Sequence, residues 1–600
     1  MKSNSNKTIL VTGGTGFIGR WLVPALLNQG YKVIVAMRHA EQRQIEYWQS
    51  LAERVNDPTS LQNAVLAVEF DLQNPMQLKS RLPNAHQEIH GIFHLAANFS
   101  WGLNPQGAQQ INVDASLQLL QWAAEFENLQ RFVWIGGYRS GSESITDARD
   151  EAAIYRKLGA YEASKLIAQQ RLIDAATEWQ VPWTALNPAT VIGDSQTGDT
   201  AQFVGLAEVV EQLFMQRLTA IPGTRQSFVP LVHVDFVADF AARLFDHAES
   251  INQEYWLLDD NTPLFPALIQ QIADHLGVKA PTTLIPVKWL KLIPQTFVPG
   301  SKETLDFICE DHYPTKPANE LAQKMGIAAR LPIQNLEKWL DSLVAQQFGK
   351  ATTSDAAKKG YSQQVWSRQF ARHTDESVVM LHGMPLDGAA WLALSEQLGI
   401  NTVVPDLPGF GRSGGQLNQD LSWLDTLVPE NGILIGHSLG AGVALRYAHY
   451  YPQKVNRLIL VSPYFLQSKP SLLLRSKTAG KLLSPFMSKS GLAQQLHPEG
   501  RANHAVESAM LALERPLVKE NLFHHLAACS SDSHRQEMVE LLESCPVPVD
   551  LIVGTGDPLS EAVGKGVKVH EIAEAGHNPH LTHTNEMAAL CQDIIYRSAA

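Results

Sequence analysis

A serine flanked by glycines, Gly436-His437-Ser438-Leu439-Gly440, follows the apolar run Ile433-Leu434-Ile435 and precedes Ala441 to His449, which reads as a helix. A buried strand, a tight turn and a helix in that order hold a hydroxyl exposed on a strained backbone. The first N–H groups of the helix then face any oxyanion formed beside it. Small residues are needed at 436 and 440 because strand and helix nearly touch there. A serine hydroxyl is a poor nucleophile until a base removes its proton. His577, in Glu574-Ala575-Gly576-His577, can serve as that base, and Asp557, in Gly554-Thr555-Gly556-Asp557-Pro558, can orient the imidazole. The N–H groups of Leu439 and Met384 would hold the oxyanion. A lone His577 would be read as structural; the ordered set gives it a role. His577, His580 and His583 also have metal-like spacing, but no carboxylate or thiol cluster joins them, so no metal is expected.

A second chemistry lies at Tyr161-Glu162-Ala163-Ser164-Lys165. Tyr161 and Lys165 stand four apart on one helix face, where the ammonium is expected to lower the phenol pKa and to bind ribose hydroxyls. A phenol so tuned can give a proton to a carbonyl oxygen as hydride arrives from a nicotinamide. The pair is common by chance, and it gains meaning from what precedes it. Ile9-Leu10-Val11 reads as a buried strand, followed by Thr12-Gly13-Gly14-Thr15-Gly16-Phe17-Ile18-Gly19 and a helix through Asn28. Glycines at 13, 16 and 19 allow the turn, the approach of backbone to a pyrophosphate and close helix–strand packing. The next strand, from Gly30, ends in Met37-Arg38-His39; Arg38 suits a ribose 2′-phosphate, so NADP is favoured over NAD. Asp71 and Leu72 end a third strand beginning at Val68, with Asp71 bordering the adenine. The small Ala96, ending the strand from Gly91, leaves room for cofactor.

The elements that must position these groups are strands alternating with helical segments, an α/β pattern in both halves. Candidate acid and base follow successive predicted strands, where parallel sheets place their sites. The 600 residues exceed what one core supports, and Gly349 to Ser362, small and polar, reads as a linker. This gives domains over 1–348 and 363–600. A net charge of −12 offers no basic field for nucleic acid or anionic lipid. The partner expected is a small-molecule substrate, with homo-oligomerisation left open. Cys309, Cys529, Cys545 and Cys591 show neither metal nor disulfide spacing and read as reduced thiols. With no signal-like or membrane-length apolar run, a cytoplasmic location is expected. Phe99, Trp101, Trp134 and Trp183 are candidate walls of an apolar substrate channel, though such residues are more often plain core.

Residues 8 to about 345 resemble an extended short-chain dehydrogenase/reductase through Thr12 to Gly19, His94-Leu-Ala-Ala97, Asn112 in Ile-Asn-Val-Asp, Tyr161-x-x-x-Lys165, Asn187-Pro188-Ala-Thr-Val-Ile-Gly193 and Val232-His-Val-Asp235. The resemblance implies a Rossmann doubly wound parallel sheet with a small substrate lobe. It makes Tyr161 the acid/base, Lys165 its helper and Asn112 a structural or proton-relay residue. Thr15, Phe17, Ile18, Leu72, Ala96 and Pro188 join the cofactor site with the glycines, Arg38, Asp71, Tyr161 and Lys165. One departure stands out: the family places serine or threonine where this chain has Gly136, so the hydroxyl that would polarise the substrate carbonyl is missing. Ser140 and Tyr138, on the same loop, are candidate substitutes.

Residues 377 to about 597 resemble the α/β-hydrolase superfamily through His382-Gly383, Gly409-x-Gly411-x-Ser413, the serine turn, Asp557-Pro558 and Gly576-His577, with a helical cap over about 464–540. That implies a serine hydrolase of esters, thioesters, lactones or C–C bonds. The combined expectation is an NADP-dependent carbonyl reductase or alcohol dehydrogenase fused to a serine hydrolase, both acting on an acyl-type metabolite. The rivals are an active hydrolase carrying an impaired NADP-binding sensor or scaffold, an epimerase or dehydratase first half, and a pair of binding modules.

Overall fold

The computed structural model describes residues 7–98, 104–139, 148–292, 305, 308, 310–327, 333–351, 357–468, 489–496, 504–557, 559 and 567–597. Two compact units result. The first comprises 1–209, 220–269 and 282–343, and the second comprises 210–219, 270–281 and 344–600.

The first unit holds seven strands: β1 (Thr8–Thr12), β2 (Lys32–Met37), β3 (Val65–Glu69), β4 (Ile89–His94), β5 (Arg131–Ile135), β6 (Trp183–Pro188) and, after three short strands outside this sheet (β7 Thr190–Ile192, β8 Ile221–Pro222, β9 Leu231–His233), β10 (Gln253–Leu257). All pair in parallel in the order β10-β6-β5-β4-β1-β2-β3. Their near-continuous Val, Ile, Leu and Phe content follows from burial on both faces. The order reverses between β1 and β4, which opens a crevice at the carboxyl ends of those strands. Strand β3 lies three residues upstream of its expected place. Asp71 and Leu72 therefore stand in the turn beyond it, where Asp71 Oδ1 accepts a hydrogen bond from the N–H of Gln73 at 3.0 Å. Its end pairs with the end of β2, Met37 opposite Glu69, so both residues still flank the same crevice.

After the two-residue β11 (Leu284–Ile285), the second unit is built on eight strands: β12 (Lys358–Ser362), β13 (Val365–Phe370), β14 (Ser377–Leu381), β15 (Asn401–Pro405), β16 (Gly432–His437), β17 (Val455–Val461), β18 (Val549–Gly554) and β19 (Lys568–Ile572). Their order is β12-β13-β15-β14-β16-β17-β18-β19, parallel except for the pairings of β13 with β12 and β15. Helices Lys489–Leu496, His504–Ala512, Pro516–Cys529 and Asp532–Glu543 occupy the interval between β17 and β18 and form the helical cap.

Two boundaries need correction. Lys358–Ser362 is a strand, not the end of a linker: it forms a hairpin with β13, pairing Tyr361 with Trp366, whose rings lie 5.1 Å apart. Segments 210–219 and 270–281, assigned by sequence to the first domain, pack within the second unit, where Gly415 N–H donates to the Gly277 carbonyl at 3.1 Å. Cys529, Cys545 and Cys591 carry free thiols, and Cys309 lies outside the described residues. Among the described residues no helix is long and apolar enough to cross a membrane.

Candidate active sites

In the second unit Ser438 follows β16 with φ 48° and ψ −108°, a positive-φ backbone that a serine adopts only where the surroundings over-determine it. The surroundings do so. A Cβ on Gly436 would stand 2.5 Å from the Gly440 carbonyl oxygen, and one on Gly440 would stand 2.3 Å from that of Leu381. Helix Leu439–Tyr450 begins at the next residue, so the Leu439 N–H belongs to the unsatisfied first turn. The His382–Met384 loop presses on the serine from the end of β14: a Cβ on Gly383 would lie 2.8 Å from Ser438 Cβ. His382 fixes that loop, bonding Gly383 O through Nδ1 at 3.0 Å and accepting from the Leu407 N–H at 2.9 Å. Leu439 follows Ser438 directly, and Met384 follows the Gly383 that presses on it.

His577 Nδ1 lies 2.6 Å from Asp557 Oδ2. Their two turns are laced together: Gly556 N–H donates to the Ala575 carbonyl at 2.9 Å, and a Cβ on Gly554 would meet that same oxygen at 2.1 Å. Three supports escaped sequence reasoning. His437 Nε2 donates to the His577 carbonyl at 2.9 Å, with the two rings 5.1 Å apart, and so ties the base to the serine turn. Gln467 Nε2 donates to the Asp557 carbonyl at 3.1 Å, and Arg535 of the cap donates to the Gln467 carbonyl. No local pattern announces these bonds, since the partners lie 140, 90 and 68 residues apart. His580 is buried between Trp391 and His437, at ring distances of 4.4 and 4.5 Å, and burial pulls its pKa down to about 3. His583 Nδ1 pairs with Thr582 Oγ1 at 2.8 Å. Pro558 lies outside the described residues.

In the first unit a cavity of about 630 Å³ is lined by Gly13, Gly16, Phe17, Ile18 and Gly19 at one side and by Tyr161, Lys165 and Pro188 at another. Gly13 has φ 74°, and a Cβ there would meet the Ala96 amide nitrogen at 2.7 Å; a Cβ on Gly19 would meet the Gly13 carbonyl at 2.3 Å. The cradle is closed to any larger residue and fits the pyrophosphate of a dinucleotide, with helix Gly19–Asn28 pointing its N-terminus there. Thr15 sits on the same turn, its carbonyl accepting from Arg20. Ala96 borders a second, small cavity of about 20 Å³ together with Asn112, Gly136 and Lys165.

Asn112 lies in the π-helical turn Gln109–Asp114 and is buried. It accepts from the Asn98 N–H at 2.7 Å and donates to Ser164 Oγ at 2.9 Å, bracing the loop after β4 against the Tyr161 helix. Bracing of this kind is a structural role, one of the two expected of it. Beneath it His94 bridges Thr12 Oγ1 and Ser116 Oγ, each at 2.8 Å.

Three expectations for this unit are altered. The Tyr161 phenol pKa is raised, not lowered: burial and the neighbouring Glu162 carboxylate push it up, while the Lys165 ammonium donates to the Ile135 carbonyl and is itself pulled down to about 8 by burial. Arg38 is exposed just beyond β2, and an acid holds the two residues that follow it. The Glu69 carboxylate accepts from the His39 and Ala40 N–H groups at 3.0 and 2.8 Å, and these bonds hold its pKa below the usual range. Trp134 and Trp183 stack on each other in the core, 5.3 Å apart, and neither lines the 630 Å³ cavity; Phe99 and Trp101 lie outside the described residues.

The place of the missing hydroxyl is filled. A Cβ on Gly136 would fall 2.0 Å from Gln169 Oε1 and 2.2 Å from Asn187 Oδ1, two buried carboxamides. Gln169 is in turn held by Glu254 at 2.5 Å. Of the two candidate substitutes, Ser140 lies outside the described residues and Tyr138 lines the cavity.

Comparison with known proteins agrees with both halves. Residues 9–257 match the NAD dependent epimerase/dehydratase family, and residues 378–590 match the alpha/beta hydrolase family. The chain is 28% identical over 212 residues to the NRPS-like oxidoreductase fscA of Fusarium equiseti, a match covering 33% of this chain and only 19% of that protein. It is 28% identical over 250 residues to the pimeloyl-[acyl-carrier protein] methyl ester esterase of Aromatoleum aromaticum, covering 36% of this chain and 97% of the relative. Among solved structures, the terminal R domain of the myxalamid PKS-NRPS biosynthetic pathway aligns at 19% identity with a TM-score of 0.47, over 58% of this chain and 93% of that one. The polypeptide therefore joins an N-terminal domain of the NAD dependent epimerase/dehydratase family, which takes a nicotinamide dinucleotide, to a C-terminal domain of the alpha/beta hydrolase family.

Proposed function

We propose that the chain is a bifunctional enzyme that interconverts a carbonyl and an alcohol with NADP(H) and hydrolyses an ester, thioester or lactone of an acyl-type metabolite. The observation that carries the reading is the 2.6 Å Asp557–His577 pair tied to a strained Ser438, in a chain whose other unit brings Tyr161 and Lys165 into one cavity with a glycine cradle.

In the hydrolase unit, Ser438 Oγ gives its proton to His577 Nε2 and attacks the acyl carbon. Asp557 holds the Nδ1 proton and stabilises the imidazolium. The N–H groups of Leu439 and Met384 take the negative charge that develops on oxygen. His577 then protonates the departing alcohol or thiol and activates the water that frees Ser438. The esterase relative acts on a methyl ester, which places small alcohols among the leaving groups to be tried.

In the reductase unit a nicotinamide held in this cavity would supply or accept hydride at carbon. Tyr161 gives the proton to the carbonyl oxygen, and burial beside Glu162 keeps the phenol protonated until then. Lys165 anchors the end of β5 beside it. Gly13, Thr15, Gly16, Phe17, Ile18 and Gly19 would hold the pyrophosphate, Asp71, Leu72 and Ala96 would flank the adenosine and nicotinamide portions, and Pro188 would border the ring. Arg38 supports a 2′-phosphate and hence NADP. The filled space at Gly136 favours one rival, a unit that binds cofactor but reduces slowly or not at all.

The test is NADPH consumption over a panel of aldehydes and ketones, beside a panel of p-nitrophenyl and methyl esters. Tyr161→Phe should abolish only the first activity and Ser438→Ala only the second. Cofactor binding without oxidation by any carbonyl compound would select the rival, and ester cleavage that survives Ser438→Ala would overturn the hydrolase reading.

A further inference from the structure

The walls of the reductase cavity away from the glycine cradle include Phe203, Val204, Val209, Val229, Phe265 and Ile308, with Thr190 and Gln202 among the polar residues beside them. Among the described residues lining it, the only charged side chains are Glu162 and Lys165, both on the helix that carries Tyr161. The Lys165 ammonium is directed to the Ile135 carbonyl, and Glu162 adds a negative charge to the wall. A carboxylate brought into such a space loses its hydration and meets, among the described residues, one ammonium that is already bonded to the Ile135 carbonyl and shares the wall with the Glu162 carboxylate, so an ion placed there is disfavoured.

Resting on the function proposed above, we infer that this cavity takes an uncharged carbonyl compound with an apolar remainder, so that reduction precedes ester cleavage in the reaction sequence. The reduction consumes one hydride from NADPH and one proton and turns R–CO–R′ into R–CHOH–R′. The hydrolysis adds one water across the acyl–oxygen bond and releases an alcohol, a carboxylate and a proton. Only the second step creates a charge, and the compound carrying that charge no longer suits the first cavity. The reductase thus works on the masked acid and the hydrolase unmasks it.

The experiment uses full-length Ser438→Ala protein, so that an ester survives the assay, with decanal, methyl 10-oxodecanoate and 10-oxodecanoate as probes. Binding is read by calorimetry in the presence of NADP+, and NADPH oxidation is read in parallel. The methyl ester should bind and react like decanal, with the free acid weaker by at least about thirtyfold in both readouts. Val204→Arg, at a half-buried wall position, should narrow that gap by improving the acid. Equal or better use of the free acid by the parent protein overturns the inference while leaving the reductase reading intact. Failure of all three probes to bind or to oxidise NADPH overturns both.

Discussion

Restoring the hydroxyl that related reductases carry, by Gly136→Ser, is the obvious route to a faster enzyme, and the structure predicts the opposite. The new Cβ would fall 2.0 and 2.2 Å from the Gln169 and Asn187 oxygens, more than an ångström inside ordinary contact. Both carboxamides are buried, at 3% and 0% exposure, so neither can swing into water. Overpacking of this kind costs about 1–3 kcal/mol. Pushing Gln169 aside also breaks its 2.5 Å bond to Glu254, and stranding a buried polar group costs about 1–3 kcal/mol more. The sum, roughly 2–6 kcal/mol, corresponds to a fall of about 3–9 °C in the unfolding midpoint of the first unit. Truncating the obstruction in Gly136→Ser/Gln169→Ala should recover part of that loss, because the serine then enters the space the carboxamide vacates. The assay is thermal unfolding followed by tryptophan fluorescence, with NADPH consumption measured on the same samples. A single Gly136→Ser variant with an unchanged midpoint and raised turnover would refute the reasoning, since it would show that the carboxamides do not own that space.

Other outcomes follow from the same geometry. Glu69→Gln removes a carboxylate bonded to the two residues after Arg38 and should raise the affinity for NADPH relative to NADH by about threefold to tenfold at low salt, read by fluorescence titration; an unchanged ratio would remove Glu69 from cofactor choice. His437→Phe cuts the bond from the serine turn to the His577 carbonyl and should lower kcat for ester cleavage by about tenfold to a hundredfold with KM little altered. A matching loss in fluorophosphonate labelling rate would locate the defect in the nucleophile–base alignment. Burial depresses the pKa of His580 to about 3, below its unfolded value, so the protein gains stability from the neutral ring above pH 6.5 and loses it progressively as pH falls towards that depressed value. At pH 5 the loss is about 2 kcal/mol, and His580→Phe, which keeps the ring between Trp391 and His437, should flatten the acid limb of a urea-midpoint profile.

What could be read from the chain was what is local. The serine turn, the glycine cradle and the pair four residues apart on a helix each announce themselves within a dozen positions, because backbone close approach demands small residues at fixed offsets. Strand β5 and strand β14 fall where their apolar runs place them. What was misread depends on partners elsewhere. Lys358–Ser362 has the composition of a linker and becomes a strand only because β13 returns alongside it. The Tyr161 phenol looked tuned by Lys165, but burial and Glu162 decide its pKa while the ammonium turns to Ile135. Gly136 read as a missing group, and its reason lies 33 and 51 residues away in Gln169 and Asn187. Glu69 carried no signal at all, since its carboxylate acts on a helix that begins 29 residues earlier.

The central claim is that two separate sets of residues act on one acyl-type compound, and mass analysis of a single doubly reactive probe addresses it directly. Incubated with NADPH and methyl 10-oxodecanoate, the unaltered protein should yield the hydroxy acid, Ser438→Ala the hydroxy ester and Tyr161→Phe the oxo acid. The same product from all three proteins, or loss of both reactions on altering either residue alone, would contradict the account.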